Sequence, residues 1–405
     1  MSLPECALPR AARRLLIALT LAVVGGCQTP APPVAVPPPS GRPTYTPTTY
    51  DTLPGWRDDD VAAIWPAWRV SCRALVARER TRTLWQSPCA AAEAVDVRTP
   101  GAVRQFFERN LTPYRVVASD GSDSGLVTGY YEPLLRGSRT PGAAYPVPLY
   151  APPDDLVVVD LAELYPELKG KRVRGRLDGR RVVPYWPRAD IDGGKAGIAA
   201  RAFVYVSDPV DAFFLHIQGS GRVELAEGGV MRVGYADQNG QPFRSVARVL
   251  IERGELTVGQ ASMQGIRAWG EQHPDALKPL LDENPSYVFF REVPPPAPGS
   301  LDALIDGPIG SLGVPLLAGR SIAVDTRSIP LGAPAYLATT EPLSDAPLRR
   351  LTMAQDTGGA IRGAVRADFF WGFGDDAGRL AGRMRQQGRM WLLWPNGAPL
   401  PDAAE

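Results

Sequence analysis

The chain has 405 residues, of which 44 are basic and 43 acidic, and its formal net charge is +1 at pH 7. This balance provides no extended basic surface for nucleic acid. The histidines are His216 and His273, and there are four cysteines, so a zinc site built from His and Cys ligands is not expected. The sequence also contains no Walker loop and no strand–GxGxxG–helix unit, so no metal or cofactor is predicted.

The N-terminal segment has the three parts of a secretory signal: basic residues, an apolar run at 15–24, and small residues before Cys27. The apolar run is shorter than the roughly 20 residues of a membrane-spanning helix. Residues 24–27 (VGGC) resemble a bacterial lipobox, so residues 1–27 are predicted to be a lipoprotein signal with a lipidated Cys27. An ordinary cleaved signal with a chance cysteine is the alternative. Gln28, where aspartate would favour inner-membrane retention, indicates an outer-membrane anchor facing the periplasm.

Residues 28–50 are rich in Pro, Thr and Ala and are predicted to form an extended tether without a core. About 350 residues follow, enough for one large or two ordinary domains. Cys72 and Cys89 remain as a pair in an exported, oxidising context, which predicts a disulfide. Two free buried thiols are the alternative.

Hydrophobic periodicity predicts a helical region at 51–115, followed by short β-branched and aromatic runs separated by Gly and Pro. The predicted strands in the first half are 125–131, 181–186, 201–206, 212–218 and 230–235. Many short strands with turn signals between them are typical of a barrel or a sandwich.

Two helices are predicted next, at 243–252 and 261–271, before a strand at 286–290. The proline-rich run 293–299 (VPPPAPG) then predicts an internal boundary, because consecutive prolines break helices and ladders. The remaining predicted elements are strands at 321–324, 335–338, 350–354 and 389–393, with a helix at 377–387.

Acidic residues near the C-terminus are the candidates for chemistry. Asp356 ends a β-like run and reads as a turn former. Asp368 precedes Phe369, Phe370 and Trp371, with glycines after them that predict a tight bend. Aromatic neighbours would desolvate this carboxyl and raise its pKa, as a glycosidic acid requires. Arg366 would oppose that shift if it paired with Asp368, so the residues alone leave a catalytic acid and an ordinary turn aspartate both open.

Several segments in one consistent order resemble the membrane-bound lytic transglycosylase A family. Upstream they are 128–133 (TGYYEP), 213–221 (FFLHIQGSG), 234–240 (GYADQNG) and 284–290 (NPSYVFF). Further along, residues 355–363 (QDTGGAIRG), 368–372 (DFFWG) and 321–332 resemble the three-aspartate 3D domain, whose motif spans 321–374. The resemblance extends from about residue 128 to residue 394.

The resemblance implies a mainly β fold with two domains. A discontinuous double-psi β-barrel domain with N-terminal helices would comprise residues 51–133 and 294–395. A smaller, β-barrel-like domain would be inserted at 134–293 and would form the other wall of the substrate groove. The proline boundary found independently agrees with this division.

The resemblance also implies a peptidoglycan lytic exotransglycosylase, with Asp368 as single catalytic acid and base. Asp325 and Asp356 would support it through hydrogen bonds and charge, whereas Glu132 receives no catalytic role. The implied groove residues, which would bind N-acetyl groups and sugar hydroxyls, are Thr128, Tyr130, Gln218, Gly219 and Ser220.

The implied reaction cleaves the β-1,4 bond between N-acetylmuramic acid and N-acetylglucosamine and forms a 1,6-anhydromuramic acid end. A hydrolytic muramidase and a non-catalytic murein-binding lipoprotein are the alternatives. The expected partners are peptidoglycan strands, the outer-membrane lipid anchor, and murein synthases or scaffold proteins, and a monomer is expected. The sequence leaves open exo or endo action, the need for peptide stems, the identity of protein partners, and the oligomeric state.

Overall fold

The structure is a computed structural model that describes residues 41–165, 168 and 173–401. The predicted signal peptide, the lipidation site Cys27 and most of the predicted tether lie outside the described residues.

The described helices fall into three groups: three near the N-terminus, five in the middle of the chain, and one near the C-terminus. They are α1 Trp65–Ala77, α2 Glu79–Ala92, α3 Ala102–Asn110, α4 Arg188–Asp192, α5 Pro209–Gln218, α6 Val246–Glu252, α7 Met263–Gln272, α8 Pro274–Asp282 and α9 Gly374–Ala381. Short 3-10 turns occur at Tyr50–Thr52, Val61–Ile64, Ala199–Arg201, Val258–Gln260 and Leu301–Leu304.

The described strands divide between the two ends of the chain and its middle. The end strands are β1 Thr44–Pro47, β2 Leu111–Val117, β3 Gly125–Glu132, β13 Ser321–Val324, β14 Pro334–Thr340, β15 Pro347–Asp356, β16 Ala367–Phe373 and β17 Arg385–Pro395. The middle strands are β4 Leu134–Ser138, β5 Val147–Tyr150, β6 Val157–Val159, β7 Val173–Asp178, β8 Arg181–Val183, β9 Ala202–Val206, β10 Ser220–Leu225, β11 Val230–Gln238 and β12 Val288–Glu292.

The end strands form a closed ring. The order is β3-β16-β13-β15-β14-β17, and β17 pairs again with β3, so six strands close on themselves. β2 and then β1 extend the sheet outward from β17. The ring agrees with the barrel expected from the strand pattern, while the double-psi connection implied by the family resemblance stays a prediction.

The middle strands form a second sheet in the order β12-β11-β10-β4-β9-β5. Its two outermost strands, β12 and β5, lie against each other, which gives this region a barrel-like shape. A separate small sheet has the order β6-β7-β8. The chain therefore leaves the ring for the second sheet after Pro133 and returns toward the ring after Glu292. Both points are close to the predicted limits of the inserted domain.

The N-terminal helices cover one side of the ring with aromatic side chains. Trp68 and Trp85 are almost fully buried, and the Trp85 ring packs edge-on against Trp394 of β17 at a centroid distance of 5.4 Å. Burial of large aromatic surfaces of this kind is the main stabilising contribution to such a core. A disulfide joins Cys72 in α1 to Cys89 in α2, the pairing predicted from the sequence.

Three predicted elements are wrong. The predicted tether does not extend to residue 50, because β1 pairs with β2 and Tyr50 packs against the main core. Residues 212–218 are helical: Asp208 accepts the N–H groups of Val210 and Asp211, so it caps α5, and Pro209 occupies the first turn. The predicted helix at 377–387 ends at Ala381, and the chain re-enters a strand at Arg385.

Candidate active site

Two of the three aspartates meet on neighbouring strands of the ring. Asp356, the last residue of β15, and Asp368 in β16 are both paired with Ala323 of β13. On its other side, Asp368 is paired with Thr128 of β3. Asp368 is the second residue of β16, so it lies in a strand rather than in a turn. The glycines expected to let the backbone bend, Gly372 and Gly374, both have positive φ, but they lie at the end of this strand.

One oxygen of Asp368 is anchored and the other is open. The Thr128 hydroxyl donates to Oδ1 at 2.5 Å, and the Arg366 guanidinium donates to the Thr128 oxygen at 2.8 Å. Within the described residues, Oδ2 has no hydrogen-bond partner, and it is not one of the fully buried polar atoms that lack partners. Oδ2 therefore keeps some solvent-accessible surface, although Asp368 as a whole is only partly exposed.

Both oxygens of Asp356 are engaged. The backbone N–H and the hydroxyl of Ser311 donate to Oδ1 at 2.9 and 2.8 Å, and the Tyr130 hydroxyl donates to Oδ2 at 3.1 Å. Such a fully bonded carboxyl is held in place and is poorly suited to exchange protons with a ligand. Its geometry fits a supporting group.

Both carboxyl oxygens of Asp325 also accept hydrogen bonds, but from donors that do not contact Asp356 or Asp368. Arg327 donates to both of its oxygens, at 3.0 and 2.6 Å, and the backbone N–H of Gly363 donates to Oδ2 at 2.8 Å. Burial alone would raise the pKa of Asp325, but these hydrogen bonds hold it below its ordinary value. Asp325 thus fixes the loop between β15 and β16.

Burial raises the pKa of the Asp368 carboxyl, and the nearby charge of Asp356 raises it further. The hydrogen bond from Thr128 and the charge of Arg366 oppose this shift without cancelling it. Burial also raises the pKa of Asp356, against the hydrogen bonds from Ser311 and Tyr130. The environment therefore favours a protonated Asp368 over a wider pH range than for a free aspartate.

The residues implied by the family resemblance are brought together only in part. Thr128 contacts Asp368 directly, whereas Tyr130 is 8% exposed and its hydroxyl is used by Asp356. Gln218 accepts the backbone N–H of Tyr131 at 3.2 Å, which joins the end of α5 to β3.

Gly219 ends α5 with a φ of 80°, a conformation that favours glycine, and Ser220 begins β10. The α5–β10 corner of the inserted sheet thus lies beside the strand that carries Thr128.

Two residues near the site have roles that sequence reasoning missed. Ser311 binds Asp356 from an irregular segment 45 residues away, and no local pattern marks it. Arg222 of β10 binds Glu132, which is 1% exposed, and stacks over the Phe373 ring. Glu132 is therefore a buried ion-pair partner between the two sheets, in line with its exclusion from catalysis.

Two cavities lie elsewhere in the described part of the chain. One of about 510 Å³ is lined by residues that include Asp58 and Arg320, and another of about 260 Å³ includes Thr339 and Arg389. Neither contains an aspartate of the 3D motif. A polymer binds in an open groove rather than an enclosed cavity, so the carboxyl geometry identifies the site better than cavity size does.

The part of the chain that the structure describes contains no cluster of three His, Cys, Asp or Glu side chains arranged to hold a metal ion. Over the same residues, every helix is too short or too polar to cross a membrane.

Two family models match the chain at the regions described above. The MltA specific insert domain matches residues 126–291, and the 3D domain matches residues 320–394. These regions contain the second sheet and the strands that carry the three aspartates. Fold and site together define the class of protein: a lytic murein transglycosylase, a lyase that cleaves peptidoglycan.

Similar individual proteins show which family within this class the chain belongs to. The membrane-bound lytic murein transglycosylase A of Escherichia coli K12 is 31% identical over 309 residues, which is 73% of this chain and 73% of that protein. The chain belongs to this MltA family. The crystal structure of MltA from Neisseria gonorrhoeae is 38% identical with a TM-score of 0.76, covering 93% of this chain and 100% of that chain.

Two further solved structures are similar over most of the chain. The lytic transglycosylase LtgG of Burkholderia pseudomallei is 45% identical with a TM-score of 0.58, covering 89% of this chain and 97% of that chain. Escherichia coli MltA with bound chitohexaose is 26% identical with a TM-score of 0.62, covering 90% and 94%.

Proposed function

We propose that this protein cleaves the β-1,4 bond between N-acetylmuramic acid and N-acetylglucosamine, and that Asp368 acts first as acid and then as base. The observation that carries the proposal is the free oxygen of Asp368. Among the described residues, it is the one aspartate of the three with a carboxyl oxygen that has no hydrogen-bond partner and is not fully buried. Its raised pKa favours the protonated form that the first step needs.

In the first step, Asp368 donates its proton from Oδ2 to the glycosidic oxygen. The bond between that oxygen and the anomeric carbon of N-acetylmuramic acid breaks, and its electron pair leaves with the N-acetylglucosamine unit. An oxocarbenium-like state develops at the anomeric carbon, as in other glycosidic cleavages. A correctly placed acid of this kind contributes roughly 10²–10⁴-fold to the rate.

In the second step, the Asp368 carboxylate takes the proton of the C6 hydroxyl of the same N-acetylmuramic acid unit. The C6 oxygen bonds to the anomeric carbon and closes a 1,6-anhydro ring, so no water is consumed and Asp368 is protonated again. A tethered nucleophile has a high effective concentration, which lowers the barrier by about 7–11 kcal/mol in favourable cases. A second carboxylate to activate water is therefore unnecessary.

The other aspartates support this chemistry. Asp356 raises the pKa of Asp368 through its charge, and Asp325 fixes the loop that leads into β16 through Gly363. Gln218, Gly219 and Ser220, at the α5–β10 corner, are proposed to bind sugar hydroxyls and N-acetyl groups. The chitohexaose bound to Escherichia coli MltA supports a sugar-binding groove in this family.

Cys27 is proposed to carry the lipid anchor, and the periplasmic face of the outer membrane is the proposed location. The relatives are named membrane-bound, which supports an anchored protein. Labelling with a radioactive fatty acid, compared between the native chain and Cys27→Ala, tests the anchor. Equal labelling of both proteins would rule out Cys27.

Digestion of purified sacculi by Asp368→Asn tests the assignment of the catalytic group. We expect turnover to be abolished while thermal stability and sacculus binding are kept. Asp376→Asn is the matched control, because Asp376 is an exposed aspartate at the start of α9. Full activity of Asp368→Asn would remove the assignment.

Mass analysis of the muropeptides released by the native protein separates the reaction types. Anhydro products are lighter than hydrolytic products by one water per cleavage. Products with that water would favour the muramidase. Sacculus binding without any released fragment would favour the non-catalytic lipoprotein.

A further inference from the structure

We propose that Arg366 is a positioning residue that acts through Thr128, fixing Asp368 so that Oδ1 is the anchored oxygen and Oδ2 the reacting one. The inference rests on the proposed role of Asp368. It assigns to Arg366 a function that the matched domains and relatives do not specify. The geometry that carries it is a chain of two hydrogen bonds, from Arg366 to Thr128 and from Thr128 to Asp368.

The direction of this chain follows from which groups can donate. A guanidinium has only donors, so its contact with the Thr128 oxygen must use a lone pair of that oxygen. The single hydroxyl proton of Thr128 is then left for Asp368, at an oxygen–oxygen distance of 2.5 Å. Arg366 thus prevents the hydroxyl from rotating away from Oδ1.

The arginine itself is held in place by the backbone. It donates to the carbonyl of Leu126 at 3.3 Å and to that of Ala367, one residue before Asp368. These contacts connect β3 and β16 at the position where Thr128 and Asp368 are paired. Arg366 is therefore fixed to both strands that carry the hydrogen-bond chain.

The chemical consequence differs between the two steps. When Asp368 gives up its proton, the Thr128 hydroxyl polarised by Arg366 stabilises the negative charge at Oδ1. Oδ2 stays free to take the C6 proton. Without Arg366, the carboxyl would hold its proton more tightly, and either oxygen could turn toward Thr128.

The charged and titratable groups around Asp368 define what a pH experiment reports. Arg366 directly precedes β16, Tyr130 lies on β3, and Asp356 ends β15. Arg385 of β17 is at the register position opposite Thr128. The nearest strand, β13, presents Ala323 to Asp368. The acids that begin α9, Asp375 and Asp376, are exposed.

The test compares Arg366→Met, Arg366→Lys, Thr128→Val and the double variant on soluble glycan strands. Arg366 lowers the pKa of Asp368, so its removal is expected to move the alkaline limb of kcat/KM to higher pH. We expect kcat to fall by about tenfold or more, with KM little changed. Lysine keeps the charge and should restore the position of the limb.

If Arg366 acts through Thr128, the kcat losses of the two single variants should not add in the double variant. The double variant should be no slower than Thr128→Val alone, because the arginine then has no hydroxyl to orient. Thr128→Ser keeps a hydroxyl at this position and should recover most of the kcat lost in Thr128→Val. Arg383→Met, at an exposed arginine beyond α9, is the matched control and should leave the pH profile unchanged.

The outcomes distinguish this inference from the proposed function. An inactive Asp368→Asn together with a native pH profile and native kcat for Arg366→Met would overturn the role of Arg366 alone. Additive losses in the double variant would also overturn it, because the two residues would then act separately. Activity retained in Asp368→Asn would overturn the proposed function itself.

Discussion

Asp356 and Asp368 lie on opposite sides of one strand, both paired with Ala323 of β13. Because like charges at this spacing disfavour one another, Asp356 raises the pKa of the neighbouring carboxyl. The two acids are nevertheless unequal. Asp356 has both oxygens bonded and Asp368 has one without a partner, which supports the proposal that Asp368 reacts and Asp356 assists it.

Asp356→Asn should therefore move the alkaline limb of the pH profile. Removal of the Asp356 charge lowers the pKa of Asp368, so the acid loses its proton at a lower pH. We expect the limb of kcat/KM to shift downward and activity at neutral pH to fall. Glycan cleavage measured across pH checks this, with thermal unfolding as the folding control. An unchanged limb would show that the charge of Asp356 does not reach Asp368.

Asp325→Asn should destabilise the folded protein in a pH-dependent way. The folded-state pKa of Asp325 is lowered, so its carboxylate stabilises the fold above the ordinary aspartate pKa of about 3.9. That stabilisation is lost as the pH falls through the lowered value. At pH 7 we expect a loss of roughly 1–3 kcal/mol in the free energy of unfolding.

Most of the Asp325 effect should come from the contact with Gly363, because the Arg327 side chain is 60% exposed and its ion pair is screened. Urea unfolding of native protein and variant at pH 7 and at pH 3 measures the difference. The gap between them should narrow in acid. A gap that widened there would contradict the assigned direction.

Arg222→Met should destabilise the contact between the two sheets. It leaves the buried carboxyl of Glu132 without its partner, and a broken buried ion pair costs about 3–5 kcal/mol. The double variant Arg222→Met with Glu132→Gln removes the unpaired charge and should be more stable than the single variant. Chemical unfolding of both, beside exposed Arg253→Met as control, makes this comparison. Equal stability of the single and double variants would show that the unpaired charge of Glu132 is not the cause of the destabilisation.

Replacement of Cys72 and Cys89 by alanine should lower the free energy of unfolding by about 3 kcal/mol. The disulfide closes a loop across 17 sequence positions, and its removal frees the unfolded chain between α1 and α2. Thermal unfolding with and without reductant checks this. The native protein should lose stability on reduction, whereas the variant should not respond.

Local patterns predicted the elements that alternate or carry clear end signals. The strand at 230–235 was found because more and less buried residues alternate along it, and the helix at 261–271 because its apolar residues recur on one face. The strand at 321–324 is buried throughout and was found as a short apolar run. α5 was mistaken for a strand, because its apolar run obscures the helical period. Asp368 was expected in a turn because of Gly372 and Gly374, but Phe369 and Phe370 favour a strand, and those glycines bend the backbone only at its end.

The site could be predicted only as far as residue types allow. The carboxyl of Asp368 and its opposition by Arg366 were visible in the sequence. The contact with Thr128 was not, because it joins residues 240 positions apart. The contacts of Ser311 with Asp356 and of Arg222 with Glu132 could not be predicted either, because each joins residues that lie far apart in the sequence.

The closed ring has a consequence for how the chain reaches its folded state. Its first strand, β3, must wait for β16 and β17, which are made more than two hundred residues later. The entropic cost of loop closure grows slowly with length, by about 0.6 kcal/mol for each doubling, so the free energy of unfolding is reduced only slightly. The folding rate is reduced more, because pairings between strands that are distant in the sequence form late. We expect the intervening β4–β12 segment to fold early and bring the two ends together, so that ring closure is the slow step of refolding.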